Sequence, residues 1–401
     1  MSSANPPPKL FAFQLALLVA LTPFAIDTYL PAFTVMASEL DIQVQAMGQT
    51  VSSYLLGFAL GQLFGGPLSD RYGRKIIAGC GLVFFSLCAL QIMHSDTLSE
   101  LVLWRFLQAL GGGFATVVVA AIVRDNYSGR DSATIFSMIG MIMMVAPLIA
   151  PAVGAAILAL GNWQMIFGFL LAYSLLLLVV LAFYIPSGHP PNKSASSLIQ
   201  HMWQGYTEVF RQRAALPHLI GQALISGILF TFITHAAYIM TDYYGVDTNR
   251  FALYFATIVT SIMLANRINI HLLKHYSRET ILRAGCISQL LATVTLFLTV
   301  YHTTPSLVII IALFMWIIGS IGFIYGNNQS LYLDHYPHHS GTANALFGCS
   351  TFLMGAILGS ISTYMQSDTL LPIAATILLS SVLGSTFIVR HLSKSSAPSG
   401  V

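Results

Sequence analysis

Charge is what this chain has least of. Only 8% of its 401 residues are Asp, Glu, Lys or Arg, against 56% hydrophobic. A soluble domain carries about 25% charged residues, so an ordinary water-soluble fold is excluded. Cysteine is also scarce. Cys80, Cys88, Cys286 and Cys349 lie inside apolar runs with no paired spacing, which argues against a disulfide framework and against a thiolate metal site. Each reads as core packing. The net charge is only +3 and no basic block exists, so nothing speaks for nucleic acid. No G-x-x-x-x-G-K loop is present, so no nucleotide phosphate site of that type is expected, and no cofactor.

Long apolar runs take the place of charge. About 20 such residues cross a bilayer, and with that ruler the chain reads as an all-α polytopic membrane protein with twelve spans. They fall near 10–33, 46–66, 76–94, 99–121, 133–158, 164–185, 216–240, 251–272, 281–301, 306–330, 342–365 and 370–391. The first run is too long for a signal-peptide core and is interrupted by Asp27, so it reads as an uncleaved span. Connections are short except for 186–215, which is polar and carries Pro186, Pro190, Pro191, Lys193, Arg211 and Arg213. It separates two six-helix halves, 1–185 and 216–401.

Lys and Arg placement gives the orientation. With both termini in the cytoplasm, 15 of the 17 Lys and Arg lie inside. Arg250 lies outside, and Arg105 lies within a span. The loop Leu331–Gly341 lacks Lys and Arg but holds Asp334, His335, His338 and His339. With no paired ligand set beside them, these histidines read as a solvated loop rather than a metal site, and no metal is expected.

Thirteen of the 14 acids fall in or beside loops, and Asp27 alone lies in a span. A charge in the hydrocarbon costs several kcal/mol, so such an acid is a functional candidate; the bland alternative is a solvated acid near Pro31 at the helix end. Counting 1.5 Å per residue puts Asp27 roughly 25 Å up span 1 and Arg105 roughly 9 Å down span 4. Both then sit in the outer half of the membrane, as plausible ion-pair partners. Protonation would free Asp27 from Arg105, a two-state element suited to proton coupling. Tyr29, Tyr54 and Gln108 are expected nearby.

One stretch concentrates the charge: Gly66-Pro67-Leu68-Ser69-Asp70-Arg71-Tyr72-Gly73-Arg74-Lys75. Two glycines and a proline predict a tight cationic turn between spans 2 and 3. The pattern resembles the signature loop of the major facilitator superfamily, with Ala78 departing mildly at its last position. Arg105-Phe106-Leu107-Gln108-Ala109-Leu110-Gly111 resembles that superfamily's R-x-x-Q-G-x-G run, with Ala109 for a glycine. Ala146-Pro147-Leu148-Ile149-Ala150-Pro151-Ala152-Val153-Gly154-Ala155 resembles the antiporter signature of span 5, with Ala150 and Ala155 for glycines. Its two prolines are expected to kink the helix, and the small residues to pack it closely.

With Ile26-Asp27-Thr28-Tyr29-Leu30-Pro31-Ala32, Tyr54 through Gln62, Arg124-Asp125-Asn126-Tyr127 and Gly341-Thr342-Ala343-Asn344-Ala345, the chain resembles the Bcr/CflA drug-resistance group, most strongly from 20 to 170. The resemblance implies the major facilitator fold, a monomer in the bacterial inner membrane, and export of small amphipathic compounds against protons. Asp27 and Arg105 would be the coupling pair. The inner loop is expected to gate the cytoplasmic side, the alternative being a purely topogenic positive loop. Asp70 would face the start of span 11 near Gly341 and Thr342, and Arg74 would pair with Asp125.

Other polar residues in spans stay open. His235 is either a titrating group or a satisfied core histidine. Asn266, Asn327, Asn328 and Gln329 either line a cavity or clamp helices. Met138, with Met141, Met143 and Met144, is either an adaptable drug surface or plain packing. Rival functions are an exporter of a metabolite such as a siderophore or amino acid, a sugar-uptake symporter, and a membrane-embedded enzyme. The last would need a nucleophile–base or metal cluster that the sequence does not display.

Overall fold

The computed structural model describes residues 8–186, 206–336, 340–365 and 367–395. Most of the 186–215 segment and His338 and His339 therefore lie outside the described residues. Among the described residues all regular structure is helical.

Each expected span is a helix. α1 (Pro8–Asp27) and α2 (Phe33–Glu39) make span 1, α3 (Gly48–Tyr72) span 2, α4 (Arg74–Ile92) span 3, and α5 (Leu98–Val117) with α6 (Val119–Asn126) span 4. α7 (Gly129–Leu160) and α8 (Gln164–Tyr184) follow. Then come α9 (Leu216–Ala237), continuing as one π-helical stretch to Tyr243, α10 (Thr248–Leu272), α11 (Arg278–His302), α12 (Leu307–Asp334), α13 (Ser340–Tyr364) and α14 (Leu371–Ser395). Eleven are long and apolar enough to cross a membrane. α3, with 25 residues, has the length and carries Gly, Ser and Gln through its middle.

Helix starts follow cap chemistry. Thr97 Oγ1 accepts from the Glu100 N–H at 3.3 Å, and Glu100 reaches back to the Asp96 N–H at 3.0 Å, close to the reciprocal capping box. Asp247 caps α10 by accepting from Asn249 and Arg250. Ser277 caps α11 through the Thr280 N–H. Helices overrun the expected ends on the basic side, as at Tyr72, Asn126, Asp334 and Ser395. A hydropathy ruler measures only the hydrocarbon part, and a helix continues into water wherever its backbone bonds still close.

One expectation needs correcting. The turn between spans 2 and 3 is not made at Gly66 and Pro67. α3 runs straight through Pro67 to Tyr72, with the Ser69 hydroxyl donating to the Gly66 carbonyl at 2.6 Å. The break is a single residue, Gly73 at φ 103°, a conformation that only glycine takes readily. α7 is one continuous 32-residue helix that contains both Pro147 and Pro151.

The chain divides into two compact units, Met1–Ile42 with Ser53–Trp203, and Gln43–Ser52 with Gln204–Val401. Inside the first, span 1 packs on spans 5 and 6, and span 3 on spans 4 and 6. Inside the second, span 7 packs on spans 11 and 12, and span 9 on spans 10 and 12. The neighbour pattern is the same shifted by six, the mark of an internal repeat.

Small residues set the spacing in the first unit. Gly57, Gly61 and Gly65 on α3 face Phe106, Leu110 and Phe114 on α5, each one turn apart, and a Cβ at any of the three would collide. Gly81 on α4 and Gly111 on α5 meet reciprocally, each backing onto the other's carbonyl. These close contacts hold α5 so that Arg105, one turn before Ala109, lies beside Tyr54 on α3.

Candidate functional site

Span 1 breaks beside its acid. α1 ends at Asp27, two turn residues follow, and Leu30–Ala32 forms a single 3₁₀ turn before α2. Pro31 explains the position. It has no N–H for the carbonyl of Asp27, four residues back, and its ring crowds that carbonyl. The last carbonyls of a helix have no intrahelical donor, and here they find others. The N–H and hydroxyl of Thr28 both donate to Phe24 O, at 3.2 and 2.6 Å. Arg105 Nη2 donates to Ala25 O at 2.8 Å. A guanidinium thus caps the negative end of α1.

Arg105 is 1% exposed. Its Nη1 donates to Gln108 Oε1, one turn along α5, at 2.7 Å. Its guanidinium carbon sits 4.3 Å from the centre of the Tyr29 ring, 4.2 Å from that of Tyr54 and 5.8 Å from that of Phe167. Tyr29, Tyr54 and Gln108 therefore all gather at Arg105, as expected, but the two tyrosines meet it with ring faces rather than hydroxyls. Such stacking is worth about 2 kcal/mol when desolvated.

The direct ion pair does not form: among the described residues, no carboxylate lies within 4.0 Å of Arg105. Carbonyl, amide and ring faces satisfy the cation instead. Asp27 is 2% exposed, and its Oδ1 is buried with no hydrogen-bond partner. The Nε of Arg105, the Nε2 of Gln108 and the hydroxyl of Tyr54 are also buried without partners. Four unsatisfied polar atoms in one place are costly in a packed core.

α7 closes the site from one side. Gly154 lies against the carbonyl of Thr28, so tightly that no Cβ fits. The small residue of the span 5 motif thus abuts the residue after Asp27. Met138 is elsewhere, sixteen residues and roughly 24 Å back along α7, half-buried.

On the basic side of the same unit, Arg74 bridges two acids. Nη1 binds Asp70 at 2.9 Å and Nε binds Asp125 at 2.5 Å. The Arg74–Asp125 pair ties the start of span 3 to the end of span 4. Lys75, unassigned from sequence, donates to Ala182 O and Ile185 O at 2.7 and 3.0 Å and so caps α8. The second unit repeats the device. Arg278, at the start of α11, binds Asp334 and Ser330 at the end of α12.

In the second unit Asn327, Asn328 and Gln329 each bond to another helix. Residues 327–329 point 100° apart in turn, and each ties α12 to a different helix. Asn327 donates to Asn269 on α10 at 2.8 Å. Asn328 bonds His218 and Gln222 on α9. Gln329 donates to Asn344 on α13 at 2.7 Å. Asn266 contributes backbone, its N–H lying against Gly322. His235 is buried and pairs with Ser362 at 2.7 Å, while its Nδ1 has no partner.

Comparison with known proteins agrees with this architecture. Residues 15–360 match the family model described as Major Facilitator Superfamily. The "Bicyclomycin resistance protein homolog" of Haemophilus influenzae is 29% identical over 391 residues, 96% of this chain and 98% of that protein. The "Chloramphenicol resistance protein" of Pseudomonas aeruginosa is 27% identical, covering 88% of this chain and 84% of that one. Among solved structures, a D-xylose–proton symporter superposes with a TM-score of 0.71 at 15% identity, covering 94% of this chain and 97% of that chain. A bacterial homologue of the human lysosomal transporter Spinster gives 0.73 at 14%, covering 98% and 96%. The repeated six-helix neighbour pattern, the charged break at Gly73 and a match running through most of both units have one explanation: the chain belongs to the Major Facilitator Superfamily.

Proposed function

We propose that this chain is a proton-coupled antiporter that exports small amphipathic compounds, drugs among them, across the bacterial inner membrane as a monomer with both termini in the cytoplasm. The buried site around Asp27 and Arg105 carries the reading. Arg105 is neutralised by a helix end, an amide and two aromatic faces, so Asp27 is left as the acid whose charge can change without a bound partner. The names of the Haemophilus and Pseudomonas relatives support drugs as substrates, and the small-residue contact of Gly154 on Thr28 supports an exporter's span 5.

In the proposed cycle Asp27 takes a proton while the site faces outward. The neutral carboxyl and its surroundings then turn inward. Substrate binding favours release of the proton to the cytoplasm, and the two ligands bias one equilibrium in opposite directions. The unsatisfied Tyr54 hydroxyl and Gln108 amide are the donors and acceptors a polar substrate group would meet, while Tyr29, Tyr54 and Phe167 offer apolar faces. A one-unit pH gradient supplies about 1.4 kcal/mol per proton, and 100 mV about 2.3. The Asp70–Arg74–Asp125 cluster holds the inner ends of spans 2 to 4 and acts as the gate's fastener, with Gly66 inside the last turns of α3 and Gly73 at the break.

The test is transport in proteoliposomes. Imposing a pH gradient, acid on the side facing the substrate's destination, should drive uptake of a drug such as chloramphenicol or bicyclomycin. Dissipating the gradient should abolish it. Drug movement indifferent to the gradient would refute the coupling.

A further inference from the structure

Three histidines distant in sequence converge at the basic end of the second unit. His218 stands near the start of α9, His335 closes α12, and His391 lies in the last turns of α14. Their rings lie 5.0 Å (His218–His391), 6.2 Å (His218–His335) and 6.4 Å (His335–His391) apart, centre to centre. One ring nitrogen from each falls within 4.8 Å of the others. We propose that they form a binding site for one divalent late first-row metal ion of the zinc class, which ties together the ends of α9, α12 and α14.

The side chain behind His218 points to a ligand rather than to packing. His218 Nδ1 lies 2.6 Å from Asn328 Oδ1. The amide orientation of Asn328 follows from its other bonds: Nδ2 donates to the His218 carbonyl at 2.9 Å and to Gln222 Oε1 at 3.1 Å. Gln222 is oriented in turn, because the atom that accepts from Asn328 must be Oε1, which leaves Nε2 to donate to Ser226 Oγ at 2.9 Å. Oδ1 of Asn328 can therefore only accept, and Nδ1 of His218 must carry the proton. Nε2 is then the basic nitrogen, with its lone pair available. A metal-binding histidine is ordinarily fixed by such a bond from its far nitrogen. Here the chain Ser226–Gln222–Asn328–His218 supplies it.

Geometry and surroundings fit a cation of this class. Metal–nitrogen distances of about 2.0–2.1 Å in a tetrahedral site place the nitrogens roughly 3.3 Å apart. His335 and His391 are half-buried and can close the remaining gap by side-chain rotation, while buried His218 stays fixed. Three imidazoles without thiolate suit zinc, copper, nickel or cobalt and not calcium or magnesium. The fourth position is left for water. Beside the site, Val209, Ala215, Leu219, Tyr332 and Tyr336 form an apolar cluster that fixes the start of α9 against the end of α12. The sequence hid the site: it showed His335 beside His338 and His339 in one loop, whereas the partners of His335 come from two other helices.

The experiment uses full-length protein purified in detergent with any polyhistidine tag removed. Zinc titration by calorimetry, and visible spectroscopy with cobalt as the probe, should show one saturable equivalent and a tetrahedral cobalt spectrum. Zinc should raise the melting temperature, and a chelator should reverse this. His335→Ala and His391→Ala, which leave the buried network alone, should each weaken binding at least tenfold and abolish the thermal shift. Asn328→Ala removes a positioning residue and should weaken it about tenfold. A variant with His338→Ala and His339→Ala should bind as the parent does. No saturable binding, or binding that survives His391→Ala but disappears with His338→Ala and His339→Ala, would overturn the proposal.

Discussion

Arg105 donates to the main-chain carbonyl of Ala25 across 2.8 Å, linking span 4 to the point where span 1 breaks. A buried cation next to a buried acid suggests an ion pair, yet the cation has been given to a helix end instead. The consequence is a division of labour. Arg105 holds the broken helix in place, and in the proposed cycle Asp27 is the group that gains and loses the proton.

Replacing Arg105 should therefore hurt folding as well as transport. Arg105→Ala strands the Ala25 carbonyl and the Gln108 amide oxygen, and hydrogen bonds to a charged group are worth about 1.5–3 kcal/mol each. A fall of several degrees in melting temperature is expected. Arg105→Lys keeps the charge but cannot fork to both acceptors while lying flat on Tyr29 and Tyr54. It should melt closer to the parent and still transport at least tenfold more slowly. Thermal melts and vesicle transport on the two variants separate these effects.

Gly154 tests the contact between span 5 and the break. A methyl there would collide with the Thr28 carbonyl, and overpacking of a fitted core costs about 1–3 kcal/mol. Gly154→Ala should reduce transport sharply, while Gly140→Ala on the same helix, with nothing within 4 Å, should be near neutral. Equal behaviour of the two variants would mean that the close approach is unimportant.

The Arg74–Asp125 pair is expected to act as one unit. Both side chains are less than one-fifth exposed, so coupling near the upper end of the range for surface pairs, about 1 kcal/mol, is expected. Arg74→Ala and Asp125→Ala should each impair export, the double variant should be little worse than either, and exchange of the two charges should restore part of the activity. A double-mutant cycle on export rate, with expression levels matched, measures this. Strict additivity would argue against the fastener.

Much of the fold was legible because the membrane imposes one ruler. Every span appeared as a run of apolar residues, and Lys and Arg marked one side. Overruns on the basic side were not legible, because Tyr72, Asn126 and Asp334 are polar and fall outside the apolar runs that mark the spans. Gathering of Tyr29, Tyr54 and Gln108 at Arg105 could be anticipated from depth counting. Ala25 could not, since its contribution is a carbonyl, and any residue has one; the only hint was Pro31 downstream. Asn327, Asn328 and Gln329 looked like cavity linings or clamps, and their three separate partner helices could not be read from the sequence. Arg278 paired with Asp334 could have been found by aligning the two halves, where it stands opposite Arg74 and Asp125.

One buried acid in span 1 implies about one proton per cycle. Exchange of one proton for a neutral drug moves net charge, so export should respond to membrane potential, at about 2.3 kcal/mol per 100 mV. Vesicles clamped at zero potential should transport a neutral substrate more slowly than vesicles with the potential imposed. Indifference to potential with a neutral substrate would mean that no net proton is exchanged.

The most direct measurement follows protons themselves. Purified protein in weakly buffered detergent is mixed with substrate, and the pH of the solution is read. The parent should release close to one proton per molecule on binding. Asp27→Asn should fold, melt near the parent temperature and release none. Proton release that persists undiminished in a well-folded Asp27→Asn variant would contradict the account.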